Sequence, residues 1–279
     1  MAFERTFLSM SEIIEFLDLE METPQMYGWF HILSMVLTAL TTVAICIFFK
    51  NPSEKTVRRI LLTTSLVVIL LEIYKQINFT FSYDGEKITA DYQWYAFPFQ
   101  FCSTPMYVGL LASLIKNEKI HKCLCAYLST FALFAGAAVM FYPQTVFLPT
   151  IGINIQTMVC HGSMICIGIF LLFSGYVKIE HKTILKAIPI FAVALITAVC
   201  MNEIAHLSGL LETETFNMFF ISPYCEPSLP VLSLIQPLVP FPIELIIYII
   251  GFSLAAYIML IIAMGIKKIH NWLSKNPET

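Results

Sequence analysis

Seven stretches of this 279-residue chain are each long and apolar enough to cross a lipid bilayer, and no other feature limits its fold so severely. They cover 27–49, 57–81, 95–115, 120–142, 155–177, 184–207 and 242–266. About 20 mostly apolar residues make a spanning helix, and backbone in hydrocarbon must satisfy its own hydrogen bonds. Hydrophobic residues make up 58% of the chain and charged residues 13%, which leaves no room for a soluble domain. The expected fold is therefore an all-α, seven-helix transmembrane bundle over 27–268. A segment 1–26 precedes it, with an interfacial helix expected across 12–22, and a tail 269–279 follows. The connection 208–241 is long, carries Pro223, Pro227, Pro230, Pro237 and Pro240, and reads as a lid or a loop resting on the bundle.

Basic residues orient the bundle. Thirteen of the 16 Lys and Arg follow spans one, three, five and seven, from Lys50 and Arg58 to Lys267 and Lys275. By the positive-inside rule that side is cytoplasmic, with the N-terminus outside and the C-terminus inside. The opposite side holds Arg5, Lys87 and mostly acids, among them Glu4, Asp84, Glu212 and Glu214. An integral protein of the plasma membrane, with no nucleic-acid partner, is the expectation.

Polar groups inside spans are costly and mark candidate sites. At 1.5 Å of rise per residue, His31 lies roughly 6 Å and Cys102 roughly 10 Å below the outer ends of their spans. His161 is about 9 Å deep, Lys75 about 9 Å, Glu72 about 13 Å and Glu203 about 6 Å. Asn202 and Glu244 fall in the same zone, and His206 lies nearer the mouth. The common level points to a single polar cavity open to the outside. Spacing puts Glu72, Lys75 and Gln76 on one face, and His31, Ser34, Thr38 and Thr41 on another. Glu72 and Lys75 read most simply as an internal ion pair. The histidines can equally be satisfied packing residues, and a membrane cysteine is often a small apolar filler. Cys102 stands apart because it sits near a helix N-terminus, whose dipole favours a thiolate. Pro98 and Pro105 flank it, and Pro105 frees the carbonyl of Phe101, so a distorted helix is expected there.

The stretch "FPFQFCSTPMYVGLL" entering the third span, followed by "QTMVCHGSMICIGIFLL" in the fifth, resembles the YwaF-like bacterial membrane proteins. These are relatives of the eukaryotic transmembrane protein 164 family. The resemblance implies an integral membrane acyltransferase using a cysteine thioester and a histidine, at positions matching Cys102 and His161. Many such relatives carry a histidine two residues before the cysteine, where this chain has Gln100. A membrane phospholipid would donate the acyl group to a lipid, amine or hydroxyl acceptor, with Gln100, His31, Glu72, Lys75, Gln76, Asn202, Glu203, His206 and Glu244 binding or orienting. No cofactor and no metal is expected for this chemistry. A transporter or receptor-like binding protein would also want a polar outer pocket. A metal-dependent membrane hydrolase using His31, His161, His206 and Glu203 is the other alternative, although no two of these histidines form an i,i+4 pair.

Overall fold

The structure, a computed structural model, describes residues 9–143, 145–209, 211, 215–226 and 229–275. Glu4, Arg5, Glu212, Glu214 and Pro227, used above to read charge and loop composition, lie outside them. Ten α-helices are described, with one small hairpin. A short α1 (Met10–Leu17) leads to α2 (Trp29–Phe48) and α3 (Glu54–Asn78). The hairpin β1–β2 (Phe81–Tyr83, Ile88–Ala90) precedes α4 (Thr104–Leu114), α5 (Glu118–Tyr127) and α6 (Leu133–Phe141). Then come α7 (Ile151–Phe173), α8 (Lys182–Ser208), the small α9 (Pro230–Ile235) and α10 (Phe241–Lys275). Six helical stretches are long and apolar enough to cross a membrane, with α5 and α6 counting as one continuous rod. The tail expected from 269 is helical as far as Lys275.

The third expected span departs from the pattern. Instead of a helix over 95–115, the chain makes a 3-10 turn at Trp94–Ala96, runs irregularly to Ser103, and forms only the 11-residue α4. Proline dictates this. Pro105 lies in the first turn of α4, where a missing N–H costs nothing. The Ser103 and Thr104 amides instead turn back to the Gln100 carbonyl, at 2.8 and 3.2 Å. The Phe101 carbonyl that Pro105 cannot serve is taken by the Thr104 hydroxyl at 2.9 Å. Irregular backbone at membrane depth survives only when its polar groups are met in this way.

Helix α7 is the hub, with α2, α3 and α6 packed round it. α4 lies between α3 and α5, α8 packs on α5, and α10 crosses α6 and α8. Gly136 of α6 lets α7 approach closely, since a Cβ there would stand 2.6 Å from the His161 carbonyl. Between α5 and α6 the rod widens into a π turn, Leu128–Ala132, where Ser129 and Thr130 both donate to the Ala126 carbonyl. Around that turn an aromatic cluster fills the core: Phe131 stacks on Phe191 at 4.5 Å and Tyr248 on Phe252 at 4.2 Å, while Phe101 meets Phe252 edge-on at 5.0 Å. Each such pair adds about 0.5–1.5 kcal/mol beyond its buried area. Outward faces are apolar too, as Leu40 and Val43 of α2 and Leu254 and Ile258 of α10 show. In lipid such faces meet a matched solvent.

The segment before α2 is tied down. A capping box of Ser9 and Glu12 starts α1, which ends at Leu17 rather than continuing to 22. The Leu17 carbonyl accepts from Tyr74 Oη at 2.7 Å, and the Met21 amide donates to the Pro149 carbonyl at 2.8 Å. Asn78 at the end of α3 is engaged here, donating to the Leu17 carbonyl and to Asp18 Oδ1. At the hairpin tip Gly85 takes φ +94°, and Asp84 Oδ1 accepts from the amides of Glu86 and Lys87. Those amide bonds hold the Asp84 carboxyl below its ordinary range.

Candidate functional site

Cys102 occupies the last irregular turn before α4, partly exposed, with Ser103 as the N-cap residue. Its carbonyl touches α7: Cys160 Sγ approaches it at 3.9 Å. The next residue, His161, is buried. Its Nδ1 lies 2.7 Å from the Thr157 carbonyl, which can only accept, so Nδ1 carries the proton. Nε2 therefore presents a lone pair, and among the described residues it has no hydrogen-bond partner. A neutral imidazole fixed by a backbone carbonyl, with its other nitrogen free, is the form a general base takes.

Beside this pair the α3 face forms one network. Lys75 Nζ meets Glu72 Oε1 at 2.8 Å, and both side chains are largely buried. Gln76 Nε2 donates to Glu72 Oε1 at 2.8 Å and to the Ala96 carbonyl at 3.0 Å. Gln156 of α7 donates to Glu72 Oε2 at 3.1 Å. Tyr92 donates to Gln76 Oε1, and burial, with the Glu72 charge behind it, pushes its phenol up to about 12. The carboxylate is thus held by three side chains. The ion pair expected from i,i+3 spacing is present. Gln156 and Tyr127 were not among the expected site residues. Tyr127 Oη lies 2.7 Å from Thr104 Oγ1, two residues from Cys102, and no periodicity in the sequence points to it.

The remaining expected residues do not share one cavity. His31 is fully used in structure: Nδ1 accepts from the Tyr27 amide at 2.9 Å, and Nε2 donates to the Met140 carbonyl at 2.8 Å. It pins α2 to the end of α6. Gln100 spends both amide atoms on a distant segment, donating to the Asn217 carbonyl at 3.0 Å and accepting from the Phe219 amide at 3.1 Å. Asn202 clamps the same segment through Met218, at 2.8 and 3.1 Å, and Tyr248 Oη donates to the Phe219 carbonyl at 2.9 Å. This part of the long connection folds into the bundle: Phe216 to Phe219, Ile221 and Ser222 are all buried. Beside it Asn202 and His206 line an open polar pocket with Phe216, Ser222 and Tyr224. Glu203 and His206 sit on the segment's solvent side, where Tyr224 stacks on His206 and donates to Glu203 at 2.8 Å. That bond pushes the Tyr224 phenol up. Glu244 lies apart in the first turn of α10, buried, with Oε1 lacking a partner among the described residues. Among the described residues, no three of His, Cys, Asp and Glu come together so as to hold a metal ion.

Fold and site together define a polytopic helical membrane protein with a cysteine just before the short helix α4, set against a buried histidine-bearing helix. Residues 26–264 match the family model of the TMEM164 family, and the chain belongs to that family. No curated protein and no solved structure matches it.

Proposed function

We propose that this chain is an integral membrane acyltransferase that takes an acyl group from a phospholipid onto Cys102, with His161 as base. The observation that carries this reading is the free, buried Nε2 of His161, one residue from the α7 cysteine that touches Cys102. His161 Nε2 accepts the thiol proton, and the sulfur attacks the ester carbonyl. The ester C–O bond breaks as the thioester C–S bond forms, and the imidazolium returns its proton to the departing lysolipid hydroxyl. An acceptor hydroxyl or amine then attacks the thioester, giving its proton to His161 and so to the released thiolate. The Lys75 ammonium, which has donors beyond the one it gives Glu72, is the available stabiliser of the oxyanion. The positive-inside distribution supports an N-out, C-in orientation, with the broken span as a seventh crossing in the plasma membrane and the site facing the outer leaflet.

The test is mass spectrometry of protein extracted gently from membranes, with and without hydroxylamine. An acyl adduct on Cys102 that hydroxylamine removes, absent from Cys102→Ala, is the expected result. Phospholipid remodelling that persists in Cys102→Ala at the unmodified rate overturns the covalent mechanism.

A further inference from the structure

The hydroxyl stripe of α2, Ser34, Thr38 and Thr41, takes no part in the site above. It lines a cleft of about 550 Å³ between α2, α3 and α7, running from Trp29 and Ile151 at one end to Ile45 and Ile167 at the other. Sixteen residues of rise make it about 24 Å long. That exceeds the depth of one leaflet, roughly 15 Å as half of the hydrocarbon core. An α-helix of that length and about 10 Å across would fill roughly 1,900 Å³, well beyond the cleft. A helix from a second copy does not fit. One extended hydrocarbon chain does.

Gly162 lets α2 sit close against α7 and so closes the floor of the cleft: an added Cβ there would stand 2.6 Å from Thr38 Oγ1. Exposed Leu33, Leu37 and Val67 form a rim that opens sideways, toward what is lipid in a membrane. A single layer of side chains separates the cleft from the reaction side of the bundle. The cleft shares Thr64, Val68, Ser163 and Ile167 with a chamber of about 30 Å³ lined by Pro105, Met106 and Cys160. Pro105 opens the helix that follows Cys102, and Cys160 touches the Cys102 carbonyl.

We propose that the cleft between α2, α3 and α7 is an acyl-chain subsite, holding one fatty-acyl chain of a phospholipid whose headgroup lies at the Trp29 end. Its role in chain selection rests on the acyl-transfer reading; its occupancy does not. The cleft length sets the preferred chain, because a tail longer than the cleft runs past its last lining residues, Ile45 and Ile167, and gains no further contact there.

The experiment uses full-length Cys102→Ala protein in bilayer nanodiscs containing phosphatidylcholine with a diazirine along one acyl chain. Photolysis is followed by peptide mapping. Label concentrated on the cleft faces of α2, α3 and α7, and several-fold weaker on the lipid face of α10 at Leu254 and Ile258, is expected. Thr41→Trp, or Val67→Trp on the opposite wall, should reduce the cleft label several-fold and leave the α10 label unchanged. Equal labelling of cleft and α10 in the parent protein means bulk lipid only and overturns the proposal, whatever the filled variants do. Cleft labelling without a Cys102 adduct in unsubstituted protein would retire the acyl-transfer reading alone. A Cys102 adduct without cleft labelling would retire the subsite alone.

Discussion

Two irregular segments lie side by side in this bundle, and they satisfy their backbones in opposite ways. The stretch 97–103 that carries Cys102 closes its own turns: Ser103 and Thr104 bond back to Gln100, and the Thr104 hydroxyl covers the carbonyl orphaned by Pro105. The stretch 215–222 has two internal ties, from the Phe220 amide to the Asn217 carbonyl at 3.2 Å and from the Ser222 amide to Asn217 Oδ1 at 2.9 Å. Otherwise it borrows Gln100, Asn202 and Tyr248 from three other parts of the fold. It also holds two successive non-glycine residues, Phe219 and Phe220, at positive φ of 61° and 54°. The first segment is made by its sequence. The second is held by its surroundings, and the difference says where mutations will act locally and where they will act at a distance.

The largest expected effect is on the Cys102 side. Lys75→Met leaves Glu72 as an uncompensated buried charge and should lower stability in detergent by about 3–5 kcal/mol, with Glu72→Gln/Lys75→Met recovering much of the loss. A thermal melt in which the double variant is no better than the single would separate the two residues. Asn202→Leu comes next, because it strands both polar groups of Met218 at about 1–3 kcal/mol each. Proteolysis within 215–222 should accelerate in step with that loss. Unchanged nicking would show that the segment holds itself. Gln100→Ala removes contacts to the same segment and should cost about 1–3 kcal/mol. It should leave Cys102 as reactive toward a small thiol reagent as before, since the Gln100 carbonyl that shapes that turn belongs to the backbone. A large fall in thiol reactivity would join the two segments into one unit. The smallest effect is expected from Phe220→Gly, which relieves left-handed strain at a partly exposed residue and should stabilise by up to about 1 kcal/mol. A destabilised variant would mean that the Phe220 side chain matters more than its backbone.

The same contrast explains what could be read in the chain. Spans are local matters of apolar length, so six of the seven expected runs correspond to long apolar helices. The Glu72–Lys75 pair is encoded by spacing within one helix, and the break before α4 by Pro105. The hairpin has a local signal too, since Asp84-Gly85 is a strong turn pair. By contrast the "FNMFFI" run of 216–221 is too short for a span, and the Gln100 and Tyr248 side chains that hold it lie about 30 to 120 positions away. Nothing local announces them. The structural use of His31 is hidden likewise, because it depends on a left-handed Tyr27 and on the far end of α6.

The π turn at Leu128–Ala132 has a consequence for how one rod serves two sets of neighbours. A π turn is a helix carrying one residue too many, which rotates everything after it by about a quarter of a revolution relative to an unbroken 3.6-residue winding. Before it the rod turns His121 and Leu124 toward α4 and α8; after it, Leu133 and Gly136 meet α7. The extra residue works as a phase shift. Without it, the stripe that meets α8 would run on in the same azimuth, and the surface that lies against the His161 turn would face elsewhere.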